Sequence, residues 1–564
     1  MTSVQSRALT TAVAAAVALA LAAPLAANAV TPVGASAGAA TAGYVVRPGD
    51  SLTAIAQRLG ITLTDLVRAN LLDPRKPLLI GVQLRLPARW CPGQRHPVAA
   101  GDSLWTVAQR FGVTRSKLAA ANGLKPDALL ILGSTIRIPA RPCPEAATPP
   151  AAPVPAAPAA AAAATAASPA TTVVPPPTVE QGPRLTGSAL AVLQGKLAAA
   201  ATDPALAPQL TGIAVIDLVS GATVFERNAD TPLVPASTAK LPLLVAAIGL
   251  LGPGFRTHTD VLTAAPIVGG VLRGDIVLKG YGDPRLSSEG LSRLAGIVRS
   301  LGVTTITGSV VADESAFDTR RMGPGWKPKF LFEESPPLSA LVVDGIASDA
   351  GPAASAAVLF TKALQGAGTV VTGPPRTGVA PAGAIVLASL HGPSLAKLAA
   401  AMGTWSDNYV AETMLKLLGL RLAGQGTSAA GARVVTQRLA AIGVPLRGVT
   451  IADGSGLSSL DRLPARTLTA ILTVAAKDPT IAPTLQSSLA LGGISGTLRR
   501  RLTTGAAAGI VRAKTGTTDL SSALAGYVGQ RYAFAVVSNG SPVDSWAAHA
   551  LQDRVVETLA ESLR

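Results

Sequence analysis

The sequence predicts a multidomain α+β protein. Three observations carry that reading: a gapless 52-residue repeat near the start, a proline-rich tract after it, and a long C-terminal stretch in which helix-period and strand-like runs alternate. The chain has 564 residues, 48% of them hydrophobic, which excludes a wholly disordered protein and allows roughly two to four domains. Its two cysteines exclude a disulfide-dense scaffold, a four-cysteine zinc site and an iron–sulfur protein. The four histidines form neither HExxH nor HxxEH, which argues against a zinc hydrolase, so neither metal nor cofactor is expected. A net charge of +16 asks for an anionic partner.

Residues 1–29 hold a single charge, Arg7, then an Ala-rich apolar run and Ala27-Asn28-Ala29. That order is the charged start, apolar centre and A-x-A cleavage site of a secretory signal peptide. A retained membrane anchor is the alternative, but the run is short and broken by Thr10, Thr11 and Pro24. The expected mature protein has no transmembrane anchor. It is secreted, to the cell wall or a periplasm-like extracytoplasmic space, where disulfides persist.

Residues 44–91 and 96–143 align with 22 of 48 positions identical, too many for chance. In each unit a short strand (44–47 in the first) leads into Gly-Asp-Ser, whose Asp or Ser can cap a helix. Apolar residues at helix spacing follow (Leu52, Ile55, Ala56, Leu59), then a second helix (Leu63, Leu66, Val67) that ends near Asn70. A closing strand (83–86) stops at Pro87. This βααβ plan, with its GDSL turn, helix-ending Asn and terminal proline, resembles the LysM family over residues 44–88 and 96–140. The resemblance implies binding of N-acetylglucosamine-containing glycans such as peptidoglycan. It places Gly49, Asp50, Ser51 and Asn70 along the first glycan groove, and Gly101, Asp102, Ser103, Trp105 and Asn122 along the second. Trp105 could stack on a sugar face, yet the first module has Thr53 there, so a core role is equally open.

In an antiparallel βααβ unit the start of the first strand lies beside the end of the last. Cys91 precedes the second module's first strand and Cys143 follows its last, so a Cys91–Cys143 disulfide is expected, with free thiols as the alternative. Loop entropy alone would give such a bond roughly 4 kcal/mol. Residues 144–183 then hold 11 prolines and only two charges, Glu145 and Glu180. Such a segment cannot build a core and reads as an extended linker.

From residue 184 the composition is globular. An amphipathic helix (189–200) precedes two strands (212–218 and 222–227), and Val234-Pro-Ala-Ser-Thr-Ala-Lys240 then runs into an apolar helix (241–251). Ser237 and Lys240, three apart at a helix start, share a face. A lysine beside a serine becomes a base once burial lowers its pKa. Ser394-Leu-Ala-Lys397 has the same spacing, so the rest of the pattern must choose. Ser406-Asp407-Asn408 and Lys514-Thr515-Gly516 each supply a tripeptide found once in the chain. Ser394 stands 12 residues before Ser406, too close to begin a separate buried helix and still leave the usual fold between them, whereas Ser237, 169 before it, leaves ample room.

The ordered trio resembles the penicillin-binding-protein signature. The runs Val277-Leu-Lys-Gly-Tyr-Gly-Asp-Pro284, Val311-Ala-Asp-Glu-Ser-Ala-Phe317, Gly325-Trp326, Asp453-Gly-Ser-Gly-Leu-Ser458 and Ser495-Gly-Thr-Leu498 add to it. Together they make residues 184–564 similar to the D-alanyl-D-alanine carboxypeptidase/endopeptidase family, the class C low-molecular-mass penicillin-binding proteins. The resemblance implies an antiparallel sheet flanked by helices, with a smaller domain inserted at about 255–345. It also implies roles. Ser237 is the nucleophile and Lys240 its base; Ser406 relays a proton to the leaving amine; Asn408 orients Lys240 and the substrate amide. Lys514, Thr515, Gly516 and Thr517 hold the terminal carboxylate, and Asp313 and Phe317 lie near the stem-peptide side chain. β-Lactams would acylate the same serine. Pro242 departs from the usual pattern, since it removes a helix hydrogen bond two residues after the lysine.

Other classes fare worse. Both cysteines belong to the repeat flanks, which excludes a cysteine peptidase, and no G-x-S-x-G supports a Ser-His-Asp hydrolase. A β-lactamase would need fast deacylation, and no E-x-x-L-N motif stands out. A catalytically silent wall-binding protein is the alternative that the intact trio opposes. The expected protein is thus a serine-type D-Ala-D-Ala carboxypeptidase or endopeptidase held on peptidoglycan by LysM modules. Residues 44–143 carry 14 Lys and Arg against five Asp, so the basicity is densest in the glycan-binding part. That favours the anionic wall over nucleic acid as partner.

Overall fold

A computed structural model describes residues 187–564 apart from 208 and 347–349, and ahead of them 43–45, 83–85, 90–91, 94–98, 104–111, 113, 115–124, 128, 130, 134–139 and 141–142. The expected signal segment 1–29, the linker 144–183, Cys143 and the turn residues Gly49, Asp50, Ser51, Asn70, Gly101, Asp102 and Ser103 lie outside the described residues. Among the described residues no helix is long and apolar enough to cross a membrane.

In the first repeat β1 (Gly43–Val45) pairs antiparallel with β2 (Gln83–Arg85), Tyr44 opposite Leu84. In the second, β4 (Gln94–Pro97) pairs with β5 (Thr135–Ile138), and α1 (Leu104–Phe111) and α2 (Arg115–Ala120) lie between them in sequence. Leu104, Val107, Leu118, Ile136 and Ile138 form the module's small core. Trp105 is the second residue of α1. Outside this pair, β3 (Trp90–Cys91) is joined to β6 (Arg141–Pro142), with Cys91 opposite Arg141.

The repeated asparagine has a structural explanation. Asn122 Nδ2 donates to Leu118 O at 2.7 Å and Arg137 O at 2.8 Å, while Arg137 N donates to its Oδ1 at 2.7 Å. The amide acts as an extra strand residue that ties the end of α2 to β5. Asn122 is committed through its side-chain amide to its own module.

The large part is built on a six-stranded sheet of β7 (Leu210–Asp217), β8 (Thr223–Arg227), β14 (Ala490–Leu491), β15 (Val511–Thr517), β16 (Ser521–Val528) and β17 (Tyr532–Asn539). The order is β14-β15-β16-β17-β7-β8, antiparallel throughout. Strand side chains alternate between faces, and here the two faces feed two separate cores. Leu524, Val528, Phe534 and Val536 join a layer made with α3 (Gly187–Ala200) and α11 (Ser545–Glu561). Ala523, Ala525, Ala533 and Ala535 join the other layer, where α10 (Ala465–Lys477) rests on the sheet. Behind it lies α4 (Lys240–Leu251), buried from Lys240 to Ile248. A helix that is apolar all round belongs in such a centre. It is enclosed by α7 (Leu395–Thr404), α8 (Asn408–Ala423) and α9 (Ser428–Ala441). Pro242 takes the third position of α4, in its first turn, where proline's fixed φ suits a helix.

Between α4 and α7 the chain forms a second unit with its own core. Its sheet has the order β12-β11-β10-β9-β13, from β9 (Arg256–Thr263), β10 (Ile276–Gly280), β11 (Val310–Asp313), β12 (Arg376–Thr377) and β13 (Ile385–Ser394). Two helices, α5 (Ser288–Ser300) and α6 (Pro352–Gly366), pack on it. The expected boundary at 345 is therefore too early. Helix α6 gives Ala353, Phe360 and Leu364 to that core, and β13 pairs with β9 as far as Ser394. The sequence hides this because β12 is only two residues long and leaves no alternating run to read.

Candidate active site

Ser237 stands half-buried in a 3-10 turn, Ala236–Ala239, that runs directly into α4. The chain before it is fastened to the sheet. Val234 N donates to Asn539 Oδ1 at 2.8 Å, and Val234 O accepts from Asn539 Nδ2 at 2.9 Å and Ser521 Oγ at 2.6 Å. These bonds hold Ala236 at φ +46°, a conformation an alanine adopts only under constraint. Two glycines let the backbone close around the turn. A Cβ on Gly516 would come 2.8 Å from Pro235 O, and one on Gly456 would overlap Ala236 O. The K-T-G strand and the Asp453-Gly-Ser-Gly turn are therefore the walls on either side of the serine.

Lys240 is fully buried, and its Nζ has three neighbours: Ser237 Oγ at 2.9 Å, Asn408 Oδ1 at 2.8 Å and Ser455 O at 2.6 Å. Burial pulls its pKa down to about 8, against the opposing pull of Asp453, Glu412, Asp407 and Glu334. Lys514 is also fully buried, on β15, and donates to Thr515 O at 2.7 Å. Burial first, and then the charge of Lys240, holds it well below the ordinary lysine range.

Ser406 and Asn408 flank the start of α8. Ser406 sits at φ +62° in the break between α7 and α8. Asp407 caps α8 by accepting from Val410 N at 3.0 Å, and pairs through Oδ2 with Arg285 Nη2 of the inserted unit at 2.8 Å. Ser237, Ser406, Asn408, Thr515 and Thr517 all line one cleft of about 770 Å³. Thr515 Oγ1 donates to Thr497 Oγ1 at 2.8 Å, which ties the Ser495-Gly-Thr-Leu498 turn to the same wall.

The structure thus brings the three motifs together, but two expected substrate contacts lie elsewhere. Asp313 is fully buried in the inserted unit, paired with Lys279 Nζ at 2.9 Å and accepting from Ser315 N and Ala380 N, each at 2.8 Å. The Phe317 ring is buried against Gly282 and Gly426. Neither lines the cleft. Ser394 does precede a helix, α7, but Lys397 faces solvent, so this pair is not the buried serine–lysine pair.

Other residues escaped the sequence reading. Asn408 Nδ2 donates to Glu334 O at 3.2 Å and Glu334 Oε2 at 3.3 Å, so the amide is held with its oxygen toward Lys240. Burial pushes the Glu334 carboxyl up. Glu412 is buried one turn after Asn408 on α8. An acid four residues after Asn408 inside an apolar helix was the available signal. Trp326 Nε1 donates to Asp453 Oδ2 at 2.7 Å, which gives the Gly-Trp pair its use. His549 lines the cleft, but burial and then Arg501 take its pKa down to about 4.

A serine and a buried lysine at the edge of an antiparallel sheet, faced by S-x-N and K-T-G, define the penicillin-binding type of serine hydrolase. The large part matches the fold of penicillin binding protein 4 (dacB) from Haemophilus influenzae with a TM-score of 0.57 at 21% identity, over 64% of this chain and 98% of that one. It is 31% identical over 464 residues to the D-alanyl-D-alanine carboxypeptidase of Actinomadura sp. (strain R39), covering 66% of this chain and 86% of the relative. Carboxypeptidase DacB of Mycolicibacterium smegmatis is 31% identical over 387 residues, covering 63% of this chain and 82% of the relative. The chain belongs to the D-Ala-D-Ala carboxypeptidase 3 (S13) family, whose pattern matches residues 193–350 and 345–562, and the LysM domain matches residues 44–87 and 96–139.

Proposed function

We propose that the protein is an exported serine-type D-Ala-D-Ala carboxypeptidase or endopeptidase. It trims or opens peptidoglycan stem peptides through an acyl-enzyme and is held on the wall by its LysM modules. One observation carries this reading: the three contacts of Lys240 Nζ. A neutral amine has two N–H donors and one lone pair. Asn408 Oδ1 and Ser455 O carry no hydrogen, so each must accept from the amine. The lone pair is left for the remaining neighbour, Ser237 Oγ, at 2.9 Å. Lys240 is thereby arranged to take the serine proton.

The reaction follows from that arrangement. Ser237 Oγ attacks the carbonyl between two D-alanines while its proton passes to Lys240. The backbone N–H groups of Ser237 and Thr517 face the developing oxyanion. Lys514, Thr515 and Thr517 hold the terminal carboxylate, whose arrival favours the charged form of Lys514. Ser406 hands the proton from Lys240 to the departing amine, and water then cleaves the acyl ester. A β-lactam carries the same carbonyl and carboxylate and would stop at the ester.

Labelling with a fluorescent penicillin tests the reading. Wild type labels, Ser237→Ala does not, and absence of label on wild type refutes it. Mass spectrometry of purified muropeptides assigns the product. Loss of one alanine marks a carboxypeptidase, and monomers released from cross-linked dimers mark an endopeptidase.

A further inference from the structure

We infer that Glu412 is a positioning residue for this reaction: it holds, as a neutral carboxylic acid, the turn whose Ser455 carbonyl orients Lys240. The inference rests on the serine–lysine reading above. Asn408 and Glu412 are four apart on α8 and so lie on one face. The first reaches Lys240 directly. The second reaches it across one residue: Glu412 Oε1 accepts from Gly454 N at 2.9 Å and Ser455 N at 2.7 Å, and Ser455 O accepts from Lys240 Nζ at 2.6 Å. Helix α8 therefore sets both carbonyl-type acceptors of the amine, one by side chain and one through the turn.

The charge state follows from what surrounds the carboxyl. Glu412, Asp453 and Asp461 are all buried together. Asp453 accepts from Trp326 Nε1, Ser455 Oγ, Gly456 N and Ser458 N, a donor set suited to an anion. Asp461 accepts through Oδ1 from Ala452 N at 2.7 Å and Asp453 N at 3.4 Å. Among the described residues, Glu412 Oε2 has no hydrogen-bond partner. An ionised carboxylate with one oxygen bare, beside a second acid, is an arrangement a protein avoids by keeping the proton. Burial, and then Asp453, lifts Glu412 to about 8, and the same two causes lift Asp461 well above its ordinary range.

The groups that face Lys240 are Asp407 and Glu412 from α8, Asp453 from the turn, Glu334 from the cleft wall and Lys514 from β15. Asp453 takes the N–H of the acceptor peptide itself, Gly456 N, and Glu412 takes the two N–H groups that lead into it, Gly454 N and Ser455 N. Were Glu412 ionised, it would favour the ammonium and remove the base; held neutral, it supports the turn without that penalty.

The test is the pH profile of acylation by fluorescent penicillin, with melting curves run beside it. Glu412→Gln keeps a carbonyl for Gly454 N and Ser455 N but can never ionise. The expected result is a normal plateau rate with the acid limb in place, the rate at pH 6 relative to its plateau unchanged, because a neutral Glu412 already lacks the charge that Gln lacks. Glu412→Ala frees both N–H groups, and its plateau should fall about tenfold or more at every pH. A Glu412→Gln limb that moves to lower pH by about half a unit, roughly threefold at pH 6, or an Ala plateau equal to wild type, overturns the inference while leaving the serine–lysine reading intact. Absence of label on wild type would instead overturn that reading. If Glu412→Gln does not fold, an infrared titration of wild type decides. A protonated-carboxyl band that is present at neutral pH and disappears near pH 8 supports the inference, and its absence refutes it.

Discussion

Replacing Gly516 by alanine probes how closely the K-T-G strand approaches the nucleophile. The added Cβ would stand 2.8 Å from Pro235 O, 3.1 Å from the Ala236 Cβ and 3.1 Å from Ser237 N. Two of these three atoms are backbone, so no side chain can swing away to make room. Restoring an ordinary contact requires strand and turn to part by about 0.6 Å. A misplacement of about 1 Å in an active site costs on the order of 100-fold in rate, so this one should cost roughly 15-fold. Overpacking should also lower stability by about 1–3 kcal/mol. The assay is the second-order acylation rate with a fluorescent penicillin, read with a thermal melt. Gly296→Ala is the control: that glycine lies inside α5 with no heavy atom within 4 Å of its added Cβ. It should leave acylation unchanged and stabilise by about 0.4–1 kcal/mol. Acylation of Gly516→Ala within twofold of wild type would refute the close-approach argument.

Acylation should rise with pH through about 8, because the free-base form of Lys240 reacts and its pKa lies there. The same shift makes Lys240's contribution to stability increase with pH between about 8 and the ordinary lysine value of about 10.4. In that window the unfolded chain binds the extra proton; a pH-stability series that falls there for wild type but not for Lys240→Met would contradict the sign. Asp407→Ala removes the cap on Val410 N and the Arg285 pair, and should cost about 1–2 kcal/mol in urea unfolding, with Asp407→Asn recovering most of the cap. Binding of the full chain to purified peptidoglycan should weaken with added salt, and a salt-independent pull-down would count against the basic repeats as its source. Peptide mass maps should change on reduction by the mass of a Cys91–Cys143 link, and identical maps would mean two thiols.

What could be read from the sequence was what local spacing encodes. Ser237 and Lys240 are one helical turn apart, so their meeting needs no knowledge of the rest of the chain. Glu412, Ser455 and Glu334 reach the site from segments far from that turn, and only the packed sheet and helices reveal it. Asp313 and Phe317 show the opposite failure. Carried over with a matching run of residues, they are held inside the inserted unit by Lys279 and by two glycines. Ser394 and Ser237 share their spacing, yet α7 sends Lys397 to solvent while α4 buries Lys240. Burial thus made the difference between two identical patterns. The helix-ending asparagine was legible as a repeated letter but not as a clamp, because its partner, Arg137, is 15 residues away.

The contact between Arg285 and Asp407 bears on how this enzyme could be trimmed. The two residues are 122 positions apart, and they join the inserted unit to the middle of the S-x-N motif. Residues 256–394 are therefore not a detachable ornament on a minimal peptidase. A shortened version that spliced α4 directly to α7 would keep every signature motif in order. It would still lack the arginine that steadies the first turn of α8, and with it the setting of Asn408. Motif completeness is thus a poor guide to where such a chain can be cut.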